Sequence, residues 1–153
     1  MPSCTTVRSF FDTNVLAYTD DAGEPSKQAT ALRLHAECHR RGQAVVSTQV
    51  LQEYYVTVTR KMGVDPVIAR RKLELFARMS VVVNQVEDVL AAVDLARLHT
   101  VSFWDALIVR AARQAECRVI YSEDMQHGWR VDGVEVVNPF AGTASTAVAP
   151  QGG

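Results

Sequence analysis

Along most of this chain the apolar pattern switches between short runs suited to a strand and longer stretches spaced for a helix. That alternation constrains the fold more than any other feature, because strands separated one by one by helical crossovers pair in parallel and place the chain in the α/β class. Strands are expected over 8–11, 44–47, 80–84 and 118–121, with a last strand over 131–137 forming an edge hairpin that turns at Asp132-Gly133. Helices are expected over 25–41, 49–62, 66–79, 86–99 and 103–116, with a short apolar segment at 15–18. Gly42 and Gly63 end two of them, and Asp65-Pro66 supplies a cap followed by proline in the first turn of another. No internal repeat or linker interrupts residues 1–140, which read as one domain; residues 141–153 are small and uncharged and are expected to be disordered.

Charge and cysteine content remove several function classes. With a net charge of −1 the chain has no global attraction for nucleic acid or an anionic membrane, so any such binding must come from local basic patches. Three widely spaced cysteines, Cys4, Cys38 and Cys117, without a CxxC pair argue against a disulfide framework and against a zinc ribbon. A soluble protein of the reducing cytoplasm is expected, since no segment has the apolar core of a signal peptide or the length of a membrane span.

Four carboxylates carry the functional information. Asp12 ends the first strand and precedes Thr13-Asn14, and Asp124 follows the strand at 118–121 through Ser122-Glu123. Acids at the carboxyl ends of parallel strands open onto the crevice where ligands bind. Each also fits a helix or turn cap, and that reading stays open for both. Glu53 lies on the helix at 49–62 just outside the apolar arc of Val50, Leu51, Tyr54, Tyr55, Val58 and Met62, where it reaches a cleft or water. Asp105 shares a helix stripe with Ile108, Val109 and Ala112, so it is aimed partly at packed surface, where a lone carboxylate is costly. Ser102-Phe103-Trp104-Asp105 also matches a capping box with Asp in place of Glu.

Taken together, three or four acids converging on one crevice suit a hard divalent cation such as Mg²⁺, and such a site serves phosphoryl chemistry. Zinc fits poorly, because His35, Cys38 and His39 lack the H-E-x-x-H register; His99 and His127 have no evident partner. No glycine-rich phosphate loop, nucleophile elbow or Cys/His pair is present. Basic residues gather at Arg60-Lys61 and Arg70-Arg71-Lys72, where they serve either as solvated helix faces or as contacts to a polynucleotide backbone.

At these residues the chain resembles the PIN domain family. Phe11-Asp12-Thr13-Asn14-Val15-Leu16, Glu53 after a short strand, Ser102-Phe103-Trp104-Asp105-Ala106-Leu107-Ile108 and Tyr121-Ser122-Glu123-Asp124-Met125 are similar to its four acidic motifs, in order, over about residues 8–140. The likeness is greatest to compact bacterial VapC-type toxins. It implies a three-layer α/β/α sandwich with a central, mostly parallel sheet, and a Mg²⁺- or Mn²⁺-dependent endoribonuclease neutralised by an antitoxin and acting as a homodimer. By position it makes Asp12, Glu53, Asp105 and Asp124 the acidic site, with Asp12, Asp105 and Asp124 holding metal and Thr13, Asn14, Ser102 and Ser122 in support. Glu123 beside Asp124 leaves two candidates at the fourth position. Two other readings stand beside it. A haloacid-dehalogenase-like phosphatase would use Asp12 as nucleophile but wants a second Asp where Asn14 stands; a non-catalytic RNA- or protein-binding module would keep the acids as caps.

Overall fold

The computed structural model describes Cys4 and residues 6–141 of the chain, so the expected disorder of the tail after Ala141 lies outside the described residues. In chain order the elements are β1 (Ser9–Phe11), α1 (Thr13–Tyr18), α2 (Pro25–Arg40), β2 (Ala44–Ser47), α3 (Thr48–Arg60), α4 (Pro66–Phe76), β3 (Ser80–Val82), α5 (Val86–His99), α6 (Phe103–Gln114), β4 (Val119–Tyr121), β5 (Arg130–Val131) and β6 (Val134–Val137). They build one six-stranded sheet in the order β3-β2-β1-β4-β6-β5, parallel throughout except for the β5–β6 hairpin. This is the mixed α/β, mostly parallel architecture that the apolar alternation called for.

Burial follows from that topology. β1 and β2 are buried at every residue, the mark of strands covered on both faces. α1 to α4 pack among themselves and α5 packs on α6, while α6 also lies against β2, β4 and β6. The hairpin turn takes positive φ at both Asp132 (51°) and Gly133 (83°), which matches the right-handed twist of the flanking strands.

β1 leads on one side to β2 and, after the later crossovers, pairs on its other side with β4. The chain therefore reverses direction across the sheet between β1 and β4, and the carboxyl ends of those two strands flank a crevice that no crossover fills. Asp12 and Ser122 are the residues that follow β1 and β4. Their placement is a consequence of strand order.

One expectation is corrected. Cys4 and Cys38 are joined in a disulfide, linking the segment before β1 to α2, where the odd cysteine count and wide spacing had argued against a bridge. Sequence spacing says nothing about proximity here, because a strand and a helix lie between the two and the fold brings their Cα atoms to 5.2 Å. Cys117 is the free cysteine; it is buried, and burial pushes its thiol up to about 12, so it is inert as a nucleophile. Two basic residues of α4 have partners within the fold. Arg70 pairs with Glu74 on its own helix, and Lys72 is drawn inward to Asp20 and Thr19 at 3.0 Å each.

The α5–α6 pair is fixed by a buried carboxylate. Asp88 accepts from the Arg110 Nε at 2.9 Å, the Gln114 amide at 2.8 Å and the backbone N–H of Gln85 at 2.8 Å. The last closes a capping box at the start of α5. These bonds, led by the Gln85 N–H, hold its carboxyl below the usual carboxylate value. A depressed folded-state pKa contributes stability at neutral pH that disappears as pH falls below about 4 through the folded value. Asp88→Asn is expected to lower stability at pH 7 by about 1–3 kcal/mol and to flatten the acid limb of a stability-versus-pH curve. Denaturant melts at pH 7 and pH 3 check this; an unchanged acid limb would remove Asp88 from the account.

Candidate active site

Asp12 stands where β1 turns into α1. Its backbone N–H still donates to Tyr121 of β4, at 3.0 Å, so the carboxylate leaves from the last rung of the ladder. The side chain caps α1, accepting from the Thr13 N–H at 2.7 Å, and its other oxygen accepts from the buried Ser122 hydroxyl at 2.8 Å. Capping and site placement are thus one arrangement, because the start of α1 and the end of β4 hold the same carboxylate.

Asn14 ties the strand ends together. Its amide nitrogen lies 3.3 Å from Asp12 and 3.2 Å from Asp124, and its Oδ1 accepts from the Glu123 N–H at 2.9 Å. The choice between Glu123 and Asp124 follows from these contacts. Glu123 turns away into a 2.6 Å ion pair with Lys27 and accepts from the Tyr18 hydroxyl, also at 2.6 Å. Asp124 faces the crevice.

The other two acids come from helices. Ser47 ends β2 and caps α3, its Oγ accepting from the Val50 N–H, and this starts the helix at the crevice with Glu53 on its second turn. Glu53 Oε1 accepts from the Thr13 hydroxyl at 3.1 Å and from the Gln49 amide at 3.3 Å. Ser102 caps α6 by accepting from the Asp105 N–H at 3.0 Å, the first half of the expected capping box. The Asp105 carboxylate lines the crevice, at the positive end of a helix whose dipole favours an anion there.

All four acids line one cavity of about 560 Å³. They share it with Thr13 and Asn14, with Lys61 of the first basic cluster, and with side chains the sequence patterns did not single out for it: Gln49, Gln52 and Trp104. Gln49 was readable in principle, since it precedes Glu53 by one helical turn on the same face. Trp104 and Lys61 reach the rim only because α6 and the end of α3 are brought together by the sheet. Lys61 lines this cavity, the only part of the two basic clusters to do so.

The electrostatics of the cavity are those of an anionic hollow. Burial, opposed by the Ser122 and Thr13 hydrogen bonds and reinforced by the charges of Glu53 and Asp105, pushes the Asp12 carboxyl up to about 6. Asp105 is raised by burial and by the Asp124 charge, with the Ser102 hydrogen bond acting against them. Among the described ion pairs none involves Asp12, Glu53, Asp105 or Asp124. The Gln49 Oε1 is buried without a hydrogen-bond donor among the described residues. A set of carboxylate oxygens with no cation paired to them among the described residues fits a hard cation that keeps part of its water shell. Among the described residues no three His, Cys, Asp or Glu side chains are grouped as a ready-made metal cage.

Three solved structures share this fold. The toxin VapC20 of Mycobacterium tuberculosis, described as cleaving the sarcin-ricin loop, is 24% identical over 76% of this chain and 89% of that one, with a TM-score of 0.63. A toxin–antitoxin complex from Klebsiella pneumoniae is similar at 19% identity over 86% of this chain and 97% of that one, with a TM-score of 0.62. A protein of Pyrobaculum aerophilum is similar at 16% identity over 96% and 98%, with a TM-score of 0.57. No curated protein matches the sequence. The PIN domain model matches residues 9–127, a span that contains β1, α3, α6 and β4 and every acid of the cavity, and the chain belongs to the PIN domain family.

Proposed function

We propose that this protein is a metal-dependent endoribonuclease that hydrolyses RNA phosphodiester bonds and serves as the toxin of a toxin–antitoxin pair, its nuclease domain spanning residues 1–140. The observation that carries the reading is the gathering of Asp12, Glu53, Asp105 and Asp124, from four separate stretches of chain, on one cavity, with no cationic side chain among the described residues in an ion pair with them. Membership of the PIN family and similarity to a toxin of Mycobacterium tuberculosis and to a toxin–antitoxin complex from Klebsiella pneumoniae support it.

Asp12, Asp105 and Asp124 would hold Mg²⁺ or Mn²⁺. When bound, such an ion lowers the pKa of water and offsets charge on the leaving oxygen. Glu53, held by Thr13 and Gln49, would orient the attacking water and accept its proton. Asn14 and Ser122 keep Asp12 and Asp124 in register, and Ser102 anchors the helix end that presents Asp105. In-line attack would leave a 5′-phosphate and a 3′-hydroxyl.

The proposed partners besides RNA are a cognate antitoxin and a second copy of the chain. α5 supports a protein partner, since it exposes Val86 (70%), Val89 (40%), Leu90 (61%) and Val93 (41%) at helical spacing, an apolar stripe of the kind that marks interaction sites. Among the described residues no helix is long and apolar enough to cross a membrane, and a cytoplasmic site of action is part of the proposal.

The test is cleavage of end-labelled RNA by purified protein. Cutting with Mg²⁺ or Mn²⁺, its loss in chelator and its return on adding back the ion are the expected results. Cleavage that proceeds undiminished in chelator would overturn the metal assignment.

A further inference from the structure

A second cavity, of about 240 Å³, lies on the far side of Asp105 and Asp124 from the first. The two carboxylates line both hollows and stand between them as a shared wall. Each hollow carries one of the two tryptophans of the chain. Trp104 lines the larger one, 60% exposed, its ring held edge-on by Phe103 at 5.1 Å. Trp129 lines the smaller one, half-buried, with His99 edge-on at 5.9 Å.

The contents of the hollows differ in a way that speaks to what enters. Acid oxygens are concentrated on the wall, which suits a phosphate only where a cation bridges it. Lys61 adds a positive charge on the Trp104 side, whereas the smaller hollow contains no Lys or Arg among its described lining residues. An aromatic ring in a hollow lined by no Lys or Arg among the described residues receives the face of a base more readily than a phosphate, because base–aromatic stacking needs no charge. A base can reach such a ring only when it is out of a duplex stack.

We infer that Trp104 and Trp129 are base platforms on opposite sides of the scissile phosphate, so that the cleft takes an unpaired dinucleotide step with its two bases splayed apart. Lys61 holds the backbone on the Trp104 side, and His99 steadies the second ring. The inference rests on the ribonuclease reading and adds the residues that receive the bases flanking the cut: Trp104 on one side and Trp129 on the other.

Tryptophan fluorescence tests it. Glu53→Gln protein keeps the three acids proposed to hold Mg²⁺ and is expected to hold RNA while cutting it far more slowly, and Trp104→Phe or Trp129→Phe in that background leaves one indole emitter while keeping an aromatic face. A random-sequence RNA hexamer pool is expected to shift both single-tryptophan signals with one midpoint. An abasic ribose-phosphate hexamer and a blunt RNA duplex are expected to shift neither. Trp104→Ala and His99→Ala, the latter loosening Trp129 without removing its buried ring, should each weaken hexamer binding roughly 10-fold. Silence of either indole, an equal response to the abasic chain, or a signal that follows protein dilution in place of RNA would overturn the inference. Its failure is distinct from that of the ribonuclease reading, since wild-type protein that cuts RNA while an indole stays silent loses the platforms alone, whereas absence of any cutting removes the activity itself.

Discussion

Asp12→Asn is expected to reduce RNA cleavage by about 10²–10³-fold or more while leaving the fold intact. The magnitude is that of removing one preorganised group from a charge-stabilising site. Stability should move the other way in metal-free protein. Burial and the neighbouring carboxylates raise the Asp12 carboxyl to about 6, so folding favours its protonated form. For an acid whose folded value is raised, stability declines as pH rises between the unfolded value near 4 and about 6, and the charged form is a net cost at pH 7. Asn keeps the shape and the acceptor for the Thr13 N–H and removes that cost. A melting temperature at pH 7 in chelator that rises or holds, together with lost cleavage, is the expected pair of readings. Mg²⁺ should raise the melting temperature of wild type more than that of the variant, because it binds the folded state through this carboxylate. Full cleavage by Asp12→Asn would sink the proposed assignment of the acids.

The largest expected effect on stability comes from Phe76→Ala. Phe76 is fully buried at the end of α4, edge-on to Tyr54 at 5.0 Å and to His35 at 5.1 Å, with the Lys72 ammonium 5.5 Å from its ring. Ala69 and Phe76 are the buried residues of α4, while Val67 and Ile68 are exposed, so this ring is the helix's main attachment. Removing it opens a cavity and costs about 3–5 kcal/mol, or roughly 10 °C of melting temperature for a chain of this size. Tyr54 loses its packing partner next to Glu53, while its hydroxyl still donates to Asp20 at 2.5 Å. Cleavage should therefore fall less than stability. A loss under about 1 kcal/mol in urea melts would mean that α4 is held by contacts other than this ring.

Much of the fold could be read along the chain because its cause is local. β2 at Ala44–Ser47 and α5 at Val86–His99 sit where their apolar spacing and caps place them, and the Asp132-Gly133 turn follows from a dipeptide that tolerates positive φ. Other helix ends moved inward by one to three residues, as α4 did in stopping at Phe76, since fraying and capping are decided by the last turn's neighbours.

The site divides along the same line. Residue order and type determine that acids fall just after β1 and β4, on the second turn of α3 and in the first turn of α6, because caps, strand ends and helix starts are short-range events. Convergence is a matter of sheet order. Whether four carboxylates meet depends on β1 lying between β2 and β4, and that pairing depends on packing across residues far apart in the chain. The same long-range contacts turn Glu123 toward Lys27 and leave Asp124 at the cavity, bring Cys4 to Cys38, and set a tryptophan on each side of the acidic wall. None of these has a signature within a window of a few residues, because each is a distance between segments that the chain's own linear spacing does not encode.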